Sequence, residues 1–329
     1  MKSSSKNRYW LGFDLGGTKM MATVFDKDFN IVAYRRKKTK DGKGSKGVLA
    51  RIVETIEEAL QAAHLDHKRL SAIGMGSPGW LDLDRGVVLL APNLGLRNVP
   101  LKKELTKDFG CPVVVANDVD AGTYGEYRFG AGQGVRCLLG VFLGTGIGGG
   151  LVYEGKLFRG RIGSCLEIGH IHMQPKGRLC GCGRRGCLET VASRLAIAAE
   201  AGAAAYRGEA PHLLELAGTD VAAIRSGVLA SAIKAGDHVV EEIVGHSTKD
   251  LGIAIGSVVN LLAPDMVVLG GGLVEAMPAL YVQQVRAAIK KQALRPYTKS
   301  LKVVMAKLGD DAVVMGAAAL AADYVGQRN

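Results

Sequence analysis

The chain has 329 residues, 48% hydrophobic and 22% charged, which suits a soluble protein with two cored domains. Its formal charge is +11, yet aromatics make up only 5% and no helix-turn-helix or RNA-binding motif accompanies the charge. The surplus therefore reads as a basic surface around anionic ligands, with no nucleic-acid partner. No apolar run reaches the ~18 residues of a membrane helix. The amino-terminal stretch from Met1 to Arg8 is polar and basic with no signal-peptide core behind it. Cys111, Cys137 and Cys165 lie in apolar surroundings and read as reduced, buried thiols, so a cytoplasmic protein without a membrane partner is expected.

Residues 10–26 alternate in apolar character and are interrupted by Asp14-Leu-Gly-Gly-Thr-Lys19, the pattern of strand, tight turn, strand. A third strand is predicted over 31–35, with Arg35-Arg36-Lys37-Lys38 as a solvated strand end or turn. Leu49, Ile52, Val53, Ile56, Ala59 and Leu60 have helical spacing. A strand over 70–75 leads into the turn Gly76-Ser-Pro-Gly79. A helix over 101–109 precedes a buried strand over 112–116, which ends at Asn117-Asp118. The second half opens like the first: a strand over 138–143, then Gly144-Thr-Gly-Ile-Gly-Gly-Gly150, then a strand over 151–153. Helices are predicted over 191–206 and 249–262, with more between them. A strand over 266–269 meets the turn Gly270-Gly-Gly272, and a helix over 311–324 closes the chain. Two such openings, with helices between strands elsewhere, predict two α/β domains facing each other across a cleft.

The densest chemistry lies between Glu167-Ile-Gly-His170 and Cys180-Gly-Cys182-Gly-Arg-Arg-Gly-Cys187-Leu-Glu189. His170, Cys180, Cys182 and Cys187 make a closed set of soft ligands that suits a tetrahedral, structural zinc ion. His172, two residues further on, is set aside as a decoy, since His170 and the three cysteines already close the set. Gly144-Thr-Gly-Ile-Gly-Gly149 matches G-x-G-x-x-G in letters, but a strand and not a helix is expected to follow, which excludes a dinucleotide fold. No P-loop pattern is present. What remains is a pair of turns whose amides can cradle phosphate oxygens. Asp14 at the first turn is a candidate to hold magnesium through water, and Lys19 is either a phosphate contact or an outward-facing lysine. Asp118 is either a general base toward a hydroxyl or the N-cap of a helix that begins at Val119.

Taken in order, Asp14-Leu-Gly-Gly-Thr-Lys19, Gly76-Ser-Pro-Gly79, Asn117-Asp118, Gly144-Thr-Gly-Ile-Gly-Gly149, Glu167-Ile-Gly-His170 and the Cys180 to Glu189 block resemble the ROK family of repressors, open reading frames and sugar kinases. The resemblance spans nearly the whole chain, and the histidine and cysteine motifs together are highly specific. It implies the actin-like ATPase (ribonuclease H-like) fold, with a small domain at 1–118 plus 312–329 and a large one at 119–311 that carries the zinc loop. By matching position, Asp118 resembles the catalytic base. Gly76, Asn117, Asp118, Glu167, His170 and Glu189 resemble the sugar site, with one ring nitrogen of His170 on zinc and the other toward the sugar. Asp14, Gly16, Gly17, Thr18 and Lys19, with Gly144, Thr145 and Gly146, resemble the two phosphate motifs. Gly270, Gly271 and Gly272 resemble the adenosine-side turn.

The implied activity is that of an ATP-dependent hexose kinase, with glucose as substrate, Mg2+ accompanying ATP, and a homodimer as the assembly. Only about a dozen residues precede Asp14, far fewer than a DNA-binding helix-turn-helix needs, which places the chain with the kinases and not with the family's repressors. Leu94-Gly-Leu-Arg97 departs from the Pro-Trp that often follows Asn-Leu in glucokinases. N-acetylglucosamine, N-acetylmannosamine or fructose are therefore alternative substrates, and polyphosphate is an alternative donor. A sugar-sensing regulator without turnover is the alternative from another class.

Overall fold

The computed structural model describes residues 8–39, 44–161 and 164–327. Residues 1–7 of the polar amino-terminal stretch lie outside that range. Along the chain come β1 (Tyr9–Leu15), β2 (Lys19–Phe25), β3 (Ile31–Lys38), α1 (Gly44–Ala62), β4 (Leu70–Ser77), β5 (Trp80–Asp82), β6 (Val87–Ala91), β7 (Leu96–Val99), α2 (Leu101–Phe109), β8 (Val113–Asn117) and α3 (Asp118–Phe129). There follow β9 (Cys137–Leu143), β10 (Ile147–Tyr153), β11 (Lys156–Leu157), α4 (Glu189–Ala192), α5 (Arg194–Tyr206), α6 (Pro211–Ala217), α7 (Ser226–Ala235) and α8 (His238–Leu262). The chain closes with β12 (Met266–Gly270), α9 (Gly272–Ala276), α10 (Pro278–Gln292), α11 (Arg295–Thr298), β13 (Lys302–Met305) and α12 (Ala312–Gly326). Among the described residues, no helix is long and apolar enough to cross a membrane.

The chain forms two compact units, residues 1–134, 150–165 and 310–329, and residues 135–149 and 166–309. These bounds differ from the expected division at 118 and 312, because α3 packs along α12 and stays with the first unit. The contact is close enough that a Cβ on Gly316 would lie 1.8 Å from the Ala121 carbonyl oxygen. Only glycine admits such an approach.

In the first unit a sheet of order β3-β2-β1-β4-β8 has antiparallel β1–β2 and β2–β3 pairs and parallel β1–β4 and β4–β8 pairs. Strands β1, β2, β4 and β8 are apolar on both faces because both are covered, whereas the edge strand β3 is largely exposed. Val48, Ile52, Ile56 and Leu60 of α1 pack with Leu11, Phe13 and Met20 on one side, while Val314, Ala318 and Ala321 of α12 pack with Trp10, Met21 and Ala72 on the other. Burying each large apolar side chain stabilises the fold by about 1.5–3 kcal/mol. The basic run is part of β3 and not a turn. Arg36 pairs with Asp310 at 2.8 Å, and Lys37 with Glu54 and Glu58 at 2.9 and 2.6 Å. The three-stranded sheet β5-β6-β7 has no counterpart in the predicted elements.

In the second sheet, of order β11-β10-β9-β12-β13, β12 runs parallel to both β9 and β13. Asp265 Oδ2 accepts from the amides of Arg136 and Cys137 at 3.1 and 2.8 Å, fixing the start of β9. Helix α8 begins at His238, well before the predicted 249, because Ser247 and Thr248 are buried and look solvent-facing in sequence. Their hydroxyls donate to the carbonyls of Ala192 and Gly245 at 3.4 and 2.9 Å, so burial leaves neither unsatisfied.

Candidate active site and metal centre

In the first unit, β8 delivers Asn117 and Asp118 to the amino terminus of α3. Asn117 and not Asp118 is the N-cap: its Oδ1 accepts from the amides of Val119 and Asp120 at 2.9 and 3.2 Å. Asp118 is the first helical residue, and its Oδ1 also accepts from the Val119 amide at 3.0 Å. Parallel pairing sets Gly76 beside this corner, where a Cβ would lie 3.4 Å from Asp118 Cα and 2.4 Å from Val313 Cγ1.

Asp14 ends the apolar part of β1 just before the first glycine turn. Burial first, then the charges of Asp118 and Asp310, push its carboxyl up to about 7, against the opposing pull of Arg36. Gly16, Gly17 and Thr18 shape the turn, which Thr39 braces by donating its hydroxyl to the Gly16 carbonyl at 2.6 Å and its amide to the Thr18 carbonyl at 2.9 Å. Gly17, Thr18 and Lys19 are exposed.

The second unit gathers His170, Cys180, Cys182 and Cys187, whose donor atoms all lie within 4.8 Å of one another. Cys182 and Cys187 Sγ are 3.7 Å apart, as are Cys180 Sγ and His170 Nδ1. A tetrahedral zinc with Zn–S of about 2.3 Å requires ligand edges of about 3.6–3.8 Å, so the set fits that ion. The Arg184 amide, the first of its causes, holds the Cys182 thiol down to about 6, while burial pushes Cys180 and Cys187 up. Three thiols cannot all ionise there without a cation to offset the burial. His172 stands apart from this group, with its Nε2 at 3.1 Å from the Gln174 carbonyl. Because Nδ1 of His170 faces the cluster, Nε2 is left for another partner.

The flanking carboxylates diverge. Glu167 is exposed and its carbonyl accepts from the His170 amide at 2.9 Å. Glu189 is half-buried, with Oε1 at 3.8 Å from Cys180 Sγ and Oε2 accepting from the Ile147 amide at 3.1 Å. A cavity of ≈ 210 Å³ beside it is lined by Thr145, Cys180 and Ser193, among others. The second glycine turn is closed by the Gly144 amide donating to the Gly146 carbonyl at 2.9 Å, and β10 follows it. No helix follows, so dinucleotide geometry is absent from this turn. Gly270 ends β12, Gly271 has φ of 88°, and α9 begins at Gly272.

Sequence reasoning missed two charged residues beside these motifs. Asp310 acts on Asp14, and Arg194 donates from Nη2 to Thr145 Oγ1 at 3.2 Å. Arg194 did leave a trace: it is a lone cation at the start of an alanine-rich helix.

Comparison with known proteins places this geometry in context. The ROK family model matches residues 10–324. The chain is 35% identical to a glucokinase of Streptomyces coelicolor, over 94% of this chain and 96% of that one. It is 34% identical to a glucokinase of Thermotoga maritima, over 96% and 98% of the two chains. The crystal structure of a ROK family glucokinase from Streptomyces griseus, in complex with glucose and AMPPNP, superposes with a TM-score of 0.83 at 34% identity, covering 96% of this chain and 99% of that one.

Proposed function

This chain belongs to the ROK family, and we propose that it is an ATP-dependent glucokinase in which Asp118 is the general base. The observation that carries the reading is the Asp118 corner: a carboxylate at the first turn of a helix, behind a buried parallel strand and beside a glycine, in a chain similar to glucokinases along nearly its whole length. Asp118 accepts the proton of the glucose 6-hydroxyl as O6 bonds to the γ-phosphorus. The bond from that phosphorus to the β,γ-bridging oxygen breaks, and ADP leaves with the electron pair.

The same reading gives Gly76, Asn117, Glu167, His170 and Glu189 the role of sugar contacts. The turns at Asp14 to Lys19 and Gly144 to Gly146 take the phosphates, and Gly270 to Gly272 takes the adenosine side. Glycine amides in such turns bind phosphate oxygens without side-chain bulk. Magnesium, arriving with ATP, would be held near Asp14 through water, and its chemistry is to neutralise charge on the phosphates. Zinc would be held by His170, Cys180, Cys182 and Cys187 as a closed structural site that fixes the loop.

The protein is read as a cytoplasmic homodimer. The three cysteines outside the cluster are free thiols, and burial pushes Cys111 up to about 11, which suits a reducing compartment. Helix α8 leaves Leu261 82% exposed, an apolar surface that a second copy would cover.

The test is ATP turnover with glucose by the wild type and by Asp118→Ala. Loss of a general base lowers kcat by about 10²–10⁴-fold, whereas a near-wild-type rate in the variant rejects the assigned role.

A further inference from the structure

The second glycine turn has cationic company that none of its motif residues supply. Arg194, the first residue of α5, donates its amide to the Gly144 carbonyl at 3.1 Å and Nη2 to Thr145 Oγ1 at 3.2 Å. Its Nη1 lies 3.5 Å from the carbonyl of Ile224, the residue before Arg225. Burial first, then the charge of Arg225, hold the Arg194 guanidinium below its ordinary range. Arg36, Arg128, Arg178 and Arg207 each have a carboxylate partner within 2.9 Å. Among the described residues, neither Arg194 nor Arg225 has one within ion-pair distance. Two neighbouring like charges, one of them half-buried, destabilise a fold unless an anion joins them. Ser226, next in sequence, abuts the third glycine turn, where a Cβ on Gly272 would lie 3.4 Å from its Oγ. The arginine pair thus connects Thr145 of one glycine turn with the approach to another.

We propose that Arg194 and Arg225 form a clamp for the phosphate chain of the phosphoryl donor. Its ligand is a linear chain of phosphoryl groups, either the tail of a nucleoside triphosphate or inorganic polyphosphate. A guanidinium suits it because its planar fork can donate twice to one phosphate. Thr145 and the Ile224 carbonyl hold Arg194 in place, so little ordering remains when the anion arrives. The inference rests on the kinase reading of the same turns.

The test measures Kd for AMPPNP and for a short inorganic polyphosphate, both with magnesium, together with Kd for glucose. The proteins are the wild type, Arg194→Ala, Arg225→Ala, the double variant and Arg194→Lys. Each alanine variant should weaken AMPPNP binding about tenfold and the double variant further, with glucose Kd held within about twofold. Arg194→Lys should recover part of the loss, since it keeps the charge but not the fork. Added salt should weaken AMPPNP binding less steeply in the double variant. Weakened polyphosphate binding alone also supports the clamp and assigns it to that donor. Both donors binding the double variant as tightly as the wild type, at unchanged Tm, overturns the clamp, as does an equal loss of glucose binding. A wild type that neither binds AMPPNP nor consumes ATP contradicts the kinase reading itself.

Discussion

Glu189 holds the second glycine turn by its backbone: its Oε2 accepts from the Ile147 amide at 3.1 Å. Gly169 also packs closely against Ile147, since a Cβ on Gly169 would lie 2.2 Å from the Ile147 carbonyl oxygen. Gly169 and Glu189 belong to the histidine and cysteine motifs. The proposed metal loop and the proposed phosphate turn therefore meet at Ile147, and Glu189 touches both, with Oε1 3.8 Å from Cys180 Sγ.

This contact separates two substitutions. Glu189→Gln keeps an oxygen for the Ile147 amide, so KM for ATP should stay within about twofold while glucose binding weakens. Glu189→Ala strands that amide at a cost of about 1–3 kcal/mol, and KM for ATP should rise about tenfold as well. Steady-state kinetics with each substrate varied in turn check both. Equal KM values for ATP in the two variants would show that the hydrogen bond does not support the turn.

Metal analysis of the purified protein should find about one zinc per chain. Cys182→Ser should lose it, weakening glucose binding most and ATP binding less, the latter through the contact of Glu189 with Cys180. Acid should release the metal as His170 and the thiolates take up protons. A Cys182→Ser protein with full metal content would contradict the ligand assignment.

Asp14 makes a pH-dependent prediction. Its folded-state carboxyl is held up to about 7 by burial and by Asp118 and Asp310. As pH rises toward 7, the unfolded chain gives up this proton before the folded one does, so stability falls by up to about 1.4 kcal/mol per pH unit. Asp14→Asn removes the charge. In metal-free buffer its Tm relative to wild type should be higher at about pH 8 than at about pH 5, while activity is lost. A difference independent of pH would show that Asp14 is not destabilised by ionisation.

Much of this was legible from the sequence because glycines and cysteines act locally. The doublet Gly16-Gly17 can only serve a tight turn, and Cys180, Cys182 and Cys187 sit too close together to have many uses. The small sheet β5-β6-β7 was not legible, because its strands are short and Trp80 and Leu89 face outward, which blurs alternation. The start of α8 was hidden by Ser247 and Thr248, whose burial depends on carbonyls that the sequence does not reveal. Asp118 could be read as a base or as a cap until Asn117 was seen to occupy the cap. Asp310 and Arg194 lie far in sequence from the residues they act upon, Asp14 and Thr145.

The most direct measurement is kcat/KM with ATP for glucose, N-acetylglucosamine, N-acetylmannosamine and fructose under one set of conditions. A glucokinase should favour glucose by at least about tenfold, since pockets that hydrogen-bond a sugar hydroxyl discriminate strongly against analogues that change it. Preference for another of these sugars, or no turnover of any, would contradict the account.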